Sequence, residues 1–541
     1  MKTVTKLLIC ALAVCMLLPF MASCNEKKPN EMQYQTPPPE ADQQTTPSAN
    51  GGNTGSGPAE ETTTEPEDVT VPPEKVDLGG YTYRAYVRTH AGDTLDEQIA
   101  HGNNNYKCID FWVEEDEREQ DAISYAVYSR NSQIEADFNC KIRQVPSNGS
   151  QIEHLTNAYA NGDGYDLTII SAKPAAQAAT RNLLRNINAM TYVDLTNPSF
   201  DQNSVKELSV ENKLYFISGD MNVSTLEIAG LSIANMEFYE SLADSIVEEF
   251  EGDVRFANLY SVVTANAWTI ENMMKIATLA SIDVDETNGD LSAIDKGDTI
   301  GYFQYLYSTI WYFYSAGGRI TQKNDDGIPE LTIQSQKSQE IANYLYDHVN
   351  SVIAVPWVPN APSATLDQNF LTGQVLFMDC SLFEVRTQIY PYSEFEYGIL
   401  PCPIYEEGEA YHSVAYFNNW AHLWAIPSMV TNAENAELML QVMATYSSMK
   451  DSTMHAYYDR TVYLNAAPDN GSRQVMDIIR QSIVYDIALI YDWGGLEKML
   501  EALSDATYNP YGSAVSGIDT TIQPLIDETI ELLKNPLLGT E

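Results

Sequence analysis

The 541-residue sequence predicts an α/β protein of two or more lobes, carried behind a long N-terminal tether. Three observations lead there. Amphipathic helical stretches alternate with short apolar runs bounded by turns, the pattern of strands buried in a parallel sheet. About 465 residues follow a low-complexity N-terminal stretch, more than one hydrophobic core ordinarily serves. That stretch, from Asn25 to about Lys75, contains "TPPPE", "NGGNTGSG" and "ETTTEPED" and almost nothing apolar, so it cannot offset its ordering entropy.

Before the tether, Lys2 and Lys6 lead into the apolar run Leu7–Phe20, and the small residues Ala22 and Ser23 precede Cys24: an export signal. The run is about fourteen residues, short of the roughly 20 needed to span a bilayer. Met21-Ala22-Ser23-Cys24 resembles the bacterial lipobox, with Met where Leu is usual, which implies that Cys24 becomes a lipidated N-terminus. An ordinary secretory signal with an incidental cysteine is the alternative. A flexible tether of this length has an r.m.s. span of roughly 40 Å, enough to hold a folded body off a membrane.

The formal charge of −45, from 75 acidic and 30 basic residues, argues against nucleic acid or anionic lipid as partner. Past Cys24 come Cys108, Cys140, Cys380 and Cys402; four cysteines allow three disulfide connectivities, and buried free thiols are the simpler state. No CxxC, HExxH or His/Cys cluster suggests zinc. "DVDETNGDLSAID" (Asp283–Asp295) has a calcium-loop composition, but Gly289 falls one place late, which favours a solvated loop. No metal or cofactor is expected.

Taken in order, Val76–Arg88 alternates as an opening strand, and Asp121–Val145 reads as a helix running into a strand. "SQIEHLTNAYANGDGYDLTIIS" repeats helix, Gly-Asp-Gly stop and strand. "RNLLRNI" reads as helix, and "NKLYFISGDMNVSTLEIAGLSIANMEFYESL" as two strand segments and a helix start. Ala267–Ala280 is helical, and Gly301–Gly318 reads as one aromatic helix closed by paired glycines. "NDDGIPELTI" is a turn into a strand, "SQEIANYLYDHVN" a helix, and "TGQVLFMDCSLFEV" and "EYGILPCPIY" are strands. "AHLWAIPSMVTNAENAELMLQVMATYS" is strand, loop and helix, with Asn432 as cap and Glu434 early.

These segments, in this order and spacing, resemble the extracellular solute-binding proteins of ABC importers, particularly the family that includes maltose- and oligosaccharide-binding proteins. The resemblance is carried by "NGDGYDLTIIS" with "NINAMTYVDLT", the long "NKLYFISGDMNVSTLEIAGLSIANMEFYESL", "NFLTGQVLFMDCSLFEVR", "YGILPCPIY" and "WAIPSMVTNAENAELML". The C-terminal "AYYDRTVYLNAAPDNGSRQVMDIIRQSIVYDIALIYDWGG" is similar to a clostridial-type branch. Asn235 is kept at the helix start, and Met236 stands where Lys is common. The resemblance implies a two-lobed, periplasmic-binding-protein-like α/β fold with a ligand cleft between lobes. One lobe would hold roughly 76–223 and 427–472, the other 224–426 and 473–541. It further implies a monomer that hands solute to an ABC permease in the membrane, with no catalysis.

A sugar has apolar C–H faces and a rim of hydroxyls, so its receptor needs aromatic surfaces and forked acceptors. Ligands of open α/β sheets sit at the carboxyl ends of strands. By position in the family pattern the expected ligand residues are Ser171 and Lys173 after "YDLTII", Asp220 and Asn222 after "LYFISG", and Asp379 and Ser381 at the end of "QVLFM". Asn418, Asn419 and Trp420 precede the last crossover, while Trp357 and Trp311 are stacking candidates, each also readable as core. Asp166 reads as a structural strand-end residue. An extracellular glycan-active enzyme and a peptide-binding or signalling lipoprotein are the competing functions; no carboxylate pair placed across a cleft marks the first.

Overall fold

The computed structural model describes residues 71–88, 108–147, 150–283, 297–305, 307–349, 354–355, 370–415, 422–458, 470–503 and 508–534. Cys24 with its signal segment, Trp357, Asn418, Asn419, Trp420 and most of the Asp283–Asp295 loop lie outside the described residues.

β1 (Tyr81–Val87) pairs in parallel with β2 (Cys140–Pro146) on one side and β3 (Leu167–Ser171) on the other. Its position is set by burial: Tyr83, Ala85, Tyr86 and Val87 have no exposed surface, and β3 is buried at every residue. Asp121 starts the helix Ala122–Phe138 by accepting from the Ser124 N–H at 2.7 Å, and Asn139, left-handed at φ 46°, ends it immediately before β2. The helix Gln151–Asn161 joins β2 to β3, capped by Ser150 and stopped by Gly162 at φ 73°. Helix-to-strand hand-offs this abrupt leave the parallel strands no slack in register.

The second sheet opens with β4 (Gly230–Asn235) and β5 (Ile300–Phe303). A hairpin of β6 (Thr321–Lys323) and β7 (Pro329–Leu331) follows, then β8 (Ala354–Val355), β9 (Val375–Ser381) and β10 (Tyr397–Pro401), giving the order β10-β4-β9-β5-β8. β11 (Ser413–Val414) precedes the return crossing, and β12 (His422–Ala425) joins the first sheet antiparallel to β3, completing β12-β3-β1-β2. β13 (Ile483–Val484) pairs in parallel with β11. Both sheets belong to one compact unit, Pro66–Glu541. No helix among the described residues is long and apolar enough to cross a membrane. All four described cysteines are buried free thiols.

Three expectations change. "RNLLRNI" is not a helix: the helix is Ala172–Thr180, and Asn182 at φ 58° turns the chain so that Leu184 can bridge Pro427. Gly301–Gly318 divides into β5 and a short helix, Ser308–Ser315, because Ile300–Phe303 is buried between β9 and β8, where only an extended chain can pair. "LYFIS" forms no full strand; only Ile217 bridges Trp424. β12 pairs with β3 from His422 onward.

A Cβ on Gly301 would lie 1.8 Å from the carbonyl oxygen of Ala277, so glycine lets the helix Ile270–Ala280 rest directly on β5. Gly301→Ala should therefore cost about 2–3 kcal/mol through forced separation of helix and strand, read as a lower urea midpoint with unchanged slope.

Candidate functional site

β3 ends at Ser171, opposite His422 where β12 begins; β9 ends at Ser381, opposite Gly230 where β4 begins. A single connection, Asn222 to Gly230, touches both places. Asn222 Nδ2 donates to the His422 carbonyl at 2.6 Å and to Thr225 Oγ1 at 2.7 Å, and its Oδ1 accepts from Ser224 Oγ at 2.7 Å. Thr225 Oγ1 donates to the same carbonyl at 3.1 Å, and Ser224 Oγ lies 2.8 Å from His422 Nδ1. The carboxyl edges of the two sheets therefore meet at one buried, hydrogen-bonded crossover.

Beside this crossover lies a cavity of about 280 Å³ lined by Asp201, Asp220, Asn222, Thr225, Arg480 and Tyr485, among others. Asp201 caps the helix Gln202–Leu208 and accepts from Tyr485 OH at 2.8 Å; burial pushes its carboxyl up. Arg480 pairs with Asp220 through Nη2 and Oδ1 and lies over the Tyr458 ring, 5.2 Å from its centroid. Burial alone would lower the Arg480 pKa, but the Asp220 charge outweighs it and the guanidinium is held above its usual range. Gly219 makes the wall possible, since a Cβ there would stand 2.4 Å from the Ser199 carbonyl. Of the expected ligand residues, Asp220 and Asn222 are the two brought to this cavity.

At the carboxyl end of β5, Trp311 stacks on Tyr305 with centroids 5.4 Å apart and planes within 3°, and Tyr307 meets it edge-on at 6.2 Å. The indole covers the start of β4, where a Cβ on Gly230 would fall 2.2 Å from it. Trp311 is 3% exposed, yet its Nε1, like the buried Oε1 of Gln304, has no hydrogen-bond partner among the described residues. Such stranded polar atoms at a strand's carboxyl end are groups a bound hydroxyl could satisfy. The sequence gives no reason to place Tyr305 and Tyr307 beside Trp311, because Gly301–Gly318 reads as one helix; the aromatic density of the stretch is the available signal.

Asn222 is fully hydrogen-bonded and Asp220 is ion-paired, and the other described residues expected at the site are engaged inside the protein as well. Asp379 is fully buried and accepts from Ser232 Oγ at 2.7 Å, Tyr302 OH at 2.5 Å and Tyr312 OH at 2.8 Å, while burial pushes its carboxyl up. Ser381 is bonded to Glu384 in a capping box, and Ser171 exchanges two hydrogen bonds with Gln151. A ligand would have to break these bonds to reach them. Lys173 Nζ is paired with Asp492 at 2.9 Å and Glu497 at 2.7 Å. Glu497 lies in the helix Leu496–Glu501, and the Leu500 carbonyl accepts from Thr309 Oγ1 at 2.8 Å, so this C-terminal segment reaches from the end of β3 to the aromatic helix of the second sheet. Asp166 accepts from Tyr81 OH and the Arg84 N–H, as a strand-end residue should.

No protein-family model and no curated protein matches the chain. Solved structures do. A cyclo/maltodextrin-binding protein complexed with maltotetraose superimposes with a TM-score of 0.50 at 14% identity, over 84% of this chain and 96% of that one. The fold is that of a two-lobed, periplasmic-binding-protein-like protein. Among other chains similar to this periplasmic-binding-protein-like fold, an extracellular solute-binding protein from Staphylococcus aureus in complex with maltose gives 0.49 at 12% identity, over 84% and 96% of the two chains. An ABC substrate-binding protein from Listeria monocytogenes in complex with cycloalternan gives 0.45 at 14%, over 85% and 100%.

Two outcomes follow from these environments. Asp379→Ala strands three hydroxyl donors in the core and should cost about 3 kcal/mol of stability while leaving ligand affinity unchanged, checked by urea unfolding and titration. His422, fully buried, is held well below the ordinary histidine range by burial and then by the Arg88 charge. Its unfolded form takes up a proton first as pH falls below about 6.5, so it removes stability on acidification by about 1.4 kcal/mol per pH unit. His422→Gln should flatten that slope between pH 6.5 and 5 in denaturant titrations.

Proposed function

We propose that the chain is a lipid-anchored extracytoplasmic receptor that captures a small saccharide between its lobes and delivers it to an ABC permease. The observation that carries this reading is the meeting of both carboxyl edges at the Asn222–Gly230 crossover, with the stacked Tyr305 and Trp311 beside it. Flat aromatic faces suit a sugar's C–H surface, and Gln304 and Trp311 have unmet polar atoms for its hydroxyls. The maltotetraose-bound relative of the fold supports the same ligand class. Anchoring rests on the sequence around Cys24, and the tether gives the receptor reach toward a permease in the same membrane. The reading includes one lobe of roughly 76–223 with 427–472 and a second of 224–426 with 473–541, adjusted for β12, and a monomeric state.

A thermal-shift screen of the purified full-length chain against mono- and oligosaccharides, with peptides and amino acids as controls, tests the ligand class. A saccharide at a hundred times its Kd should add about 2.7 kcal/mol of stability. Tyr305→Ala should weaken the hit roughly tenfold by removing a stacking face worth about 1–1.5 kcal/mol. A flat sugar screen with a peptide hit, or release of reducing sugar from a glycan, overturns the saccharide-receptor reading. Cys24→Ala should shed the protein from cells into the medium; retention on the membrane would refute the anchor.

A further inference from the structure

In a chain with 75 acidic and 30 basic residues, a cation rarely lacks a carboxylate nearby, and Lys141, Arg255, Arg386 and Arg480 are each ion-paired. Lys206, Arg319 and Lys323 make no direct ion pair among the described residues, although they share a second cavity, of about 320 Å³, with Glu207 and Asp486. Arg319 and Lys323 donate there to backbone carbonyls, and Lys206 is exposed at its rim. The cavity lies between the helix Gln202–Leu208, the β6–β7 hairpin and the residues after β13, and it shares Tyr485 with the crossover cavity.

Two carboxylates line it as well, and both are engaged. Asp486 accepts from Tyr314 OH at 2.9 Å, the Ile320 and Thr321 N–H groups at 2.9 and 3.1 Å, and Thr321 Oγ1 at 2.6 Å. Glu207 accepts from the Tyr485 N–H at 2.6 Å, and burial pushes its carboxyl up. Arg319 is oriented from one edge only: Nη1 donates to the Tyr314 and Gly318 carbonyls at 3.0 and 2.7 Å, and the guanidinium lies over the Tyr314 ring at 5.5 Å. That arrangement holds its plane and keeps the remaining donors available. Lys323 donates to the Lys206 carbonyl, and burial lowers its pKa to about 8. The Arg319 charge adds to burial in pushing His412 down to about 4. Set against Asp486 and Glu207, the three cations leave an excess of one positive charge, and Lys206 and Lys323 repel each other, so an entering anion offsets that excess.

We propose that this cavity binds a small oxyanion, the carboxylate or phosphate group of a low-molecular-weight ligand. Arg319 supplies the forked donor, and Lys206 and Lys323 supply point charges. At about 320 Å³ the space is at the lower end of small-molecule pockets, which run from roughly 300 to 1,000 Å³, so it suits phosphate or a single-ring sugar acid. The site is independent of what the cleft binds.

Isothermal titration of the full-length chain with inorganic phosphate, glucuronate, glucose and chloride at matched ionic strength tests the proposal. Saturable heat from phosphate or glucuronate, with none from glucose or chloride, is the expected result. Phosphate alone assigns a phosphate group, and glucuronate alone assigns an acidic sugar. Lys206→Gln and Lys323→Gln should each weaken binding about tenfold without altering the melting temperature in chloride. The proposal is overturned if neither anion binds beyond the chloride control, or if the double variant binds either one within twofold of the parent. Neutral-sugar binding to the cleft is scored separately in the same titrations, so loss of one reading leaves the other standing or falling by its own data.

Discussion

Everything in this molecule depends on carrying a peptide chain between two sheets through a dry interior. Peptide groups there cannot bond to water, and each one left unmet costs about as much as a lost hydrogen bond. The Asn222 side chain answers most of that demand: it donates to the His422 carbonyl where the chain comes back, and it holds Thr225 and Ser224 in the same network. The outbound crossing is thereby tied to the return crossing. Eight residues on, Gly230 pairs with Ser381, so the connection that leaves the first sheet also sets the edge of the second.

The same requirement sorts the polar residues into those a ligand can reach and those it cannot. Asp379 and Asp486 are saturated by hydroxyls and backbone N–H groups of their own protein, and they brace the aromatic helix Ser308–Ser315 from both sides through Tyr312 and Tyr314. With that helix held, Trp311 has one place to go, against Gly230 and Tyr305. The stacked surface is thus a consequence of buried carboxylates that never meet a ligand.

The C-terminal segment adds a second tie between the lobes. Lys173 at the end of β3 engages Asp492 and Glu497, Lys213 Nζ donates to the Leu533 and Lys534 carbonyls, and Thr309 and Tyr314 bond the same stretch of chain from the second sheet. Separating the lobes widely would break bonds on one side or the other. Tyr485 lines both the crossover cavity and the cation-lined cavity, and it belongs to this C-terminal segment.

Much of the fold was legible in the sequence. Cap and stop residues such as Asp121, Ser150, Gly162 and Asn432 act through neighbours three or four places away, so helix limits there are local chemistry. The apolar runs Leu167–Ser171 and Val375–Ser381 declare burial on both faces. What could not be read was any choice made by a distant partner. Ile300–Phe303 is strand only because β8 and β9 flank it, and the helix after β3 stops at Thr180 because Leu184 must reach Pro427. The site followed the same division. Sequence alone marks Asp220, Asn222 and Trp311 as polar and aromatic candidates, and passes over Tyr305 and Tyr307 because Gly301–Gly318 reads as one helix. Only the tertiary structure decided that Asp220 and Asn222 line a cavity, Asp220 paired with Arg480 and Asn222 bonded across the crossover, while Asp379 is enclosed by three hydroxyls, because these partners come from distant parts of the chain.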